Sequence, residues 1–103
     1  MAGLVLIGTS HPRDFDLSAT TVPVLKVLGT RDGVAALEKS ERNRSKLPAS
    51  ARWILIEGGN HSQFGYYGFQ PEDRWASISR AEQQRQTVAA VLDALESAPR
   101  LGR

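Results

Sequence analysis

The sequence has 103 residues, of which 41% are hydrophobic and 23% are charged, and its formal net charge is +2. This length allows one small domain, and the composition is ordinary for a soluble globular protein. The sequence has no cysteine and only two histidines, His11 and His61, which excludes a disulfide framework, a thiolate metal site and a histidine-rich metal site. The lack of cysteine fits a reducing compartment, and we expect a cytoplasmic protein.

The N-terminal residues MAGLVLIGTS have no basic segment, and their apolar run is too short for a signal peptide or a membrane span. Basic residues gather in residues 38–46 (EKSERNRSK), where glutamates offset much of the charge. We interpret this segment as a solvated helix face rather than a nucleic-acid-binding patch. We therefore expect neither a nucleic acid nor a membrane as a partner.

The first half of the chain contains two aliphatic runs. Residues 4–7 (LVLI) predict a strand that is buried on both faces, and the polar residues 9–21 predict a loop. Residues 24–28 (VLKVL) predict a second strand. Lys26 is unusual there, which indicates either a poorly covered face or a side chain that reaches an edge of the sheet.

The second half continues the alternation of helix and strand. Residues 33–47 are rich in Ala, Glu, Lys and Arg and predict a helix, residues 53–56 (WILI) predict a third strand, and residues 57–77 predict a long loop. Ser79 and Glu82 have the spacing of a capping box, with Ser79 accepting from the Glu82 backbone N–H and Glu82 reaching back. The helix that follows carries an apolar stripe of four residues: Val88, Val91, Leu92 and Leu95.

This order of elements predicts an α/β fold with a three-stranded parallel sheet and two main helices. We assign residues 1–98 to a single domain and residues 99–103 to a disordered tail. Three parallel strands with two helices leave an edge and part of a face uncovered, and the edge at residues 4–7 is hydrophobic. We therefore expect a homo-oligomer, a dimer that associates through this edge or through the uncovered faces.

Asp32 and His61 each follow the end of a predicted strand. Functional residues of parallel sheets gather at the carboxyl ends of the strands, and neighbouring strands lie about 4.8 Å apart. If the second and third strands are neighbours, the Asp32 carboxylate can reach the His61 ring. We interpret the two residues as the acid and the base of a hydrolase triad. The alternatives are a turn aspartate that caps the following helix and a histidine that is only hydrogen-bonded.

Three segments carry a resemblance to a known family. Residues 23–33 (PVLKVLGTRDG), 57–68 (EGGNHSQFGYYG) and 78–84 (ISRAEQQ) resemble, in this order, the C-terminal portion of an α/β-hydrolase of the dienelactone-hydrolase-like type. The resemblance covers about residues 3–96. It implies that the three strands are the last three of that fold, that Asp32 is the triad acid and that His61 is the base. Triad chemistry needs no metal or organic cofactor, and none is implied.

The nucleophile of such a triad lies in a G-x-S-x-G elbow, and the 103 residues contain no such motif. Ser62 is adjacent to His61, and Ser10 lies two strands away, roughly 10 Å by strand spacing. Neither serine lies in an elbow. We therefore expect a hydrolase-like module without full triad catalysis on its own. The alternatives are an esterase-type hydrolase acting on small esters, with a nucleophile from another chain or an unconventional serine, and one piece of a longer gene product.

Four aromatic residues follow the histidine in the long loop. They could line an acyl pocket, pack the loop on the rim of the sheet, or face a partner. These residues are Phe64, Tyr66, Tyr67 and Phe69.

Overall fold

The computed structural model describes residues 3–65, 68 and 70–97. The described part has a parallel sheet of strands β1 (Leu4–Ile7), β2 (Val24–Gly29) and β3 (Arg52–Ile56), in the order β1-β2-β3. Its helices are α1 (Leu37–Arg42) and α2 (Arg80–Ser97), with 3₁₀ helices at Arg44–Lys46 and Ser62–Phe64. The predicted α/β fold, with three parallel strands and two main helices, is confirmed. The predicted tail at residues 99–103 lies outside the described residues.

The core lies between the sheet and α2. Leu25, Val27 and Ile56 are almost fully buried, and residues of α2 pack against them. The α2 residues at this contact are Ala90, Val91 and Ala94. None of the helices in the described segments is long and apolar enough to cross a membrane.

The apolar stripe of α2 does not all face this core. Only Val91 packs against it, whereas Val88, Leu92 and Leu95 are 46–56% exposed. Ala90 and Ala94 are small and allow α2 to lie close to the sheet. The longer side chains of Val88, Leu92 and Leu95 lie outside this contact. Half of the predicted capping box is present, since the Glu82 N–H donates to Ser79 Oγ at 3.1 Å.

The prediction that the first strand is buried on both faces is wrong. Val5 is 37% exposed and Ile7 is 41% exposed, because β1 is an edge strand and α2 contacts β2 and β3 instead. Val5 and Ile7 lie on the same face of the sheet as the core residues Leu25 and Val27. This face of β1 is therefore uncovered. This exposed apolar surface is a structural consequence of having only three strands in the described sheet.

The prediction of one helix over residues 33–47 is also wrong in its extent. The helix α1 begins at Leu37, and the chain continues into the 3₁₀ helix Arg44–Lys46. Residues 33–36 form a turn instead, because one oxygen of Asp32 accepts hydrogen bonds from the backbone N–H groups of Val34 and Ala35. The Asp32 side chain thus caps a turn that precedes the helix.

Lys26 is fully buried in the central strand. Its Nζ donates to the carbonyl oxygen of His11 at 2.6 Å and lies 5.2 Å from the centre of the Trp53 ring. Burial lowers the pKa of Lys26 to about 8. The face of the sheet that carries Lys26 is therefore covered, by the loop that contains His11 and by the ring of Trp53.

Candidate active site

Asp32 and His61 meet at the carboxyl ends of β2 and β3. His61 Nδ1 lies 3.1 Å from Asp32 Oδ2. The side chain of Asp32 is fully buried, and that of His61 is 20% exposed. The parallel register pairs Gly29 with Ile56, so the loops that follow β2 and β3 leave the sheet side by side.

Both oxygens of Asp32 have defined partners. Oδ1 accepts from the N–H groups of Val34 at 2.8 Å and Ala35 at 2.6 Å, and Oδ2 faces His61. A carboxylate only accepts hydrogen bonds, so Nδ1 is the donor in this contact, and in the neutral ring the lone pair lies on Nε2. A histidine in this tautomer can accept a proton at Nε2.

Glycines allow the two loops to pack backbone against backbone. The Arg31 N–H donates to the Gly59 carbonyl at 2.8 Å, and the Gly58 N–H donates to Thr30 Oγ1 at 2.8 Å. A Cβ atom on Gly29 would overlap the carbonyl group of Gly59. The glycines on either side of this contact therefore bring the loop of Asp32 and the loop of His61 together.

A network of buried amides fixes the residue that precedes the histidine. Gln83 of α2 is fully buried, and its side chain both donates to the Asn60 carbonyl at 2.7 Å and accepts from the Asn60 N–H at 3.0 Å. Gln63 Nε2 also donates to Gln83 Oε1. Gln83 is not among the site residues predicted from the sequence. A polar residue on the buried side of a predicted helix is the signal that could have identified it.

A second buried carboxylate, Asp73, lies beside the pair. Oδ1 accepts from the N–H groups of Gly33 at 2.9 Å and His61 at 3.2 Å. Oδ2 accepts from the N–H and the hydroxyl of Ser62, both at 2.7 Å. Asp73 lies in the long loop predicted for residues 57–77, and its local sequence gives no signal that it contacts two distant segments.

The serine adjacent to the histidine is engaged by this carboxylate. Ser62 is 3% exposed, and its hydroxyl donates to Asp73 and accepts from the Gln70 N–H at 3.1 Å. Its burial shields this hydroxyl from a substrate. Ser10, in the loop after β1, accepts a hydrogen bond from Asn43 Nδ2 on its backbone carbonyl.

The His61 ring extends to the end of β1. A Cβ atom built on Gly8 would lie 3.6 Å from His61 Nδ1 and 2.9 Å from Cδ2 of Phe64. Gly8 also has a positive φ of 61°, so a residue with a side chain would be strained there. The ring thus lies close to the edge strand of the sheet, although His61 itself follows β3.

Of the four aromatic residues that follow His61, the structure describes Phe64. Phe64 packs against the core, which favours a packing role for this side chain. Tyr66, Tyr67 and Phe69 lie outside the described residues. Within the ranges that the structure describes, no group of three histidine or acidic side chains could hold a metal ion.

Comparison with known proteins identifies one family. The model of the alpha/beta hydrolase family matches residues 1–85, which is most of the chain. No curated protein and no solved structure matches the sequence. The parallel sheet, with its glycine-rich loops after β2 and β3, agrees with the family match. The chain therefore belongs to the alpha/beta hydrolase family.

Proposed function

We propose that this chain is a hydrolase-like module that carries the acid and the base of a catalytic triad and does not complete triad catalysis on its own. The observation that supports this proposal is the 3.1 Å contact between Asp32 Oδ2 and His61 Nδ1. Asp32 is the acid that orients the ring, and His61 is the base. The proposed site uses neither a metal nor an organic cofactor.

The chemistry of the pair is proton transfer during acyl transfer. When a hydroxyl oxygen attacks the carbonyl carbon of an ester, His61 Nε2 takes the hydroxyl proton, and Asp32 stabilises the resulting imidazolium. When the bond to the leaving alcohol breaks, the same proton passes from Nε2 to the alkoxide oxygen. From the chemistry of this pair we propose a small ester as the substrate class.

A second candidate function is an esterase-type hydrolase that obtains its nucleophile from another chain. The position of the His61 ring beside Gly8, at the end of the edge strand β1, favours it. A segment that added to the edge of β1 would end next to the ring. Ser62 is not a candidate in this scheme because its buried hydroxyl is bound by Asp73.

The oligomer belongs to the same proposal. We propose that the uncovered edge of β1 pairs with a second copy of the chain and forms a homodimer. Support comes from the exposed apolar side chains of Val5 and Ile7 on this strand. We also propose that the module is cytoplasmic. Disulfides are rare in the reducing cytoplasm, and the sequence has no cysteine that could form one.

Two measurements test the proposed function. The first is a long-range ¹H–¹⁵N NMR spectrum of His61, for which we expect a hydrogen-bonded Nδ1–H signal and a lone pair on Nε2. A His61 ring with its hydrogen on Nε2 would contradict the proposed acid–base pair. In these spectra, His11 can be assigned by comparison with His11→Gln.

The second measurement is the intact mass after treatment with a fluorophosphonate, which labels activated serines with loss of fluoride. We expect no adduct on the wild-type chain alone. An adduct on the wild type that is absent from His61→Ala would favour the esterase candidate instead. Peptide mapping would then identify the reactive serine.

A further inference from the structure

Asp73 joins the loop of the acid to the loop of the base. It lies between the 3₁₀ helix Ser62–Phe64 and α2, 41 residues after Asp32, and it is 8% exposed. One of its oxygens accepts from the backbone N–H of Gly33, the residue after Asp32, and also from that of His61. A single carboxylate oxygen therefore connects the backbones on which the acid and the base are carried.

The second oxygen of Asp73 adds two hydrogen bonds to the loop that carries His61. It accepts from the backbone N–H and the hydroxyl of Ser62, each at 2.7 Å. Burial alone would raise the pKa of the Asp73 carboxyl, but hydrogen bonds from Gly33, Ser62 and the Arg74 backbone outweigh burial and lower it. The charged form makes stronger hydrogen bonds than a neutral acceptor, so the connection is charge-assisted.

The packing around Gly33 indicates how closely the loop of Asp73 approaches the acid. A Cβ atom on Gly33 would overlap the carbonyl oxygen of Glu72 and would lie 2.8 Å from the Cα of Asp73. Only a residue without a side chain allows the Gly33 N–H to reach the carboxylate at this distance. The glycine at position 33 is therefore needed for the hydrogen bond between its N–H and Asp73.

We propose that Asp73 is a positioning residue that holds His61 against Asp32. It acts through the backbone N–H groups of Gly33 and His61. This inference rests on the proposed function, because the position of the ring matters only if the pair transfers protons. A carboxylate that served the fold alone would change the stability of the chain without changing the tautomer or the exchange of the His61 ring hydrogen.

The test compares Asp73→Asn with the wild type in the long-range ¹H–¹⁵N NMR spectrum, at a temperature where both are folded by circular dichroism. The asparagine keeps the shape of Asp73 but has one acceptor oxygen and an NH₂ group that cannot accept from the N–H groups around it. We expect loss of the Nδ1–H signal of His61, or exchange of this hydrogen with water that is about fivefold faster or more, the factor for one lost hydrogen bond. The Gly33 backbone amide should lose protection in the same sample.

Asp93→Asn is the matched control, because Asp93 is an exposed carboxylate of α2 that pairs with Arg52 away from the site. It should leave the His61 signal and its exchange rate unchanged. A folded Asp73→Asn variant with the wild-type signal and exchange rate would overturn the proposal.

Asp73→Glu provides the decision if Asp73→Asn does not fold. It keeps the negative charge, but its additional CH₂ group displaces the carboxylate from the backbone N–H groups of Gly33 and His61. We expect faster exchange of the His61 ring hydrogen than in the wild type, and an unchanged rate would overturn the proposal. Failure of the proposed function is distinguishable, since it would appear as the wrong tautomer of His61 in the wild-type spectrum itself.

Discussion

The side-chain amide of Gln83 forms two hydrogen bonds with the backbone of Asn60, one in each direction. Asn60 immediately precedes His61, so α2 fixes the backbone next to this histidine. The approach is close, because a Cβ atom on Gly59 would lie 2.9 Å from Cδ of Gln83. This helix therefore supports both the core of the sheet and the candidate site.

Replacing Gln83 by leucine should destabilise the chain by about 2–6 kcal/mol. The leucine has a similar volume, but it leaves the buried N–H and carbonyl of Asn60 without partners, and each unpaired group costs about 1–3 kcal/mol. Urea denaturation measures the free energy of unfolding. Glu96→Leu, at an exposed position of the same helix, is the control and should change it by less than about 0.5 kcal/mol.

Asp32→Asn and Asp32→Ala should separate the two functions of this carboxylate. The amide oxygen of asparagine can still accept from Val34 and Ala35, so we expect a small loss of stability. Its NH₂ group then faces His61 Nδ1, which must accept, and the ring hydrogen moves to Nε2. Asp32→Ala should instead cost about 1–3 kcal/mol because the turn loses its acceptor. NMR of the ring nitrogens and urea denaturation measure the two effects, and an unchanged tautomer in Asp32→Asn would contradict the assignment.

The sequence was sufficient for the fold because its signals are local. Each strand is a short aliphatic run, and the runs alternate with a polar loop or a helix, which predicts a parallel sheet. The placement of Asp32 and His61 after neighbouring strands followed from the same reasoning. The catalytic assignment of these residues stays a prediction, since the geometry shows their contact and leaves their chemistry to experiment.

The sequence was insufficient where a contact joins distant segments. Asp73 binds Gly33 and Ser62 across a loop that has no periodic pattern, so nothing in its neighbourhood predicts these partners. The start of α1 was misplaced for a related reason. Helix propensity favours Ala35 and Ala36 but not Gly33, and the side chain of Asp32 competes for the backbone N–H groups of a helical first turn.

The exposed edge of β1 leads to a prediction about association. The N–H groups of Leu4 and Gly8 donate to β2, and alternate backbone groups of a parallel strand point in opposite directions. Those of Val5 and Ile7 therefore point to the uncovered edge, and the side chains of both residues are exposed. Two copies related by a twofold axis could pair these edges antiparallel to each other.

We expect light scattering to give a mass of twice the 11.3 kDa of one chain for the wild type. Ile7→Lys should shift the protein toward the monomer, because a charge at the edge opposes strand pairing. Leu55→Lys is the matched control, since Leu55 is 51% exposed on β3, the other edge strand, and should leave the dimer intact. A monomeric wild type at all concentrations would exclude the dimer, and dissociation by Leu55→Lys alone would assign the interface to β3.

The buried amine of Lys26 should make the stability of the chain depend on alkaline pH. Burial lowers the pKa of Lys26 to about 8, whereas the unfolded chain has the ordinary lysine value. Between about pH 8 and pH 10 the unfolded chain therefore binds a proton that the folded chain does not, and this group makes the free energy of unfolding rise with pH. Lys26→Met removes this contribution, and groups that titrate in both proteins cancel in the comparison. Urea denaturation at pH 7 and pH 10 measures the free energy of unfolding of both proteins. From pH 7 to pH 10, the wild type should gain stability relative to Lys26→Met. An equal difference between the two proteins at both pH values would mean that the folded state does not lower the pKa of this amine.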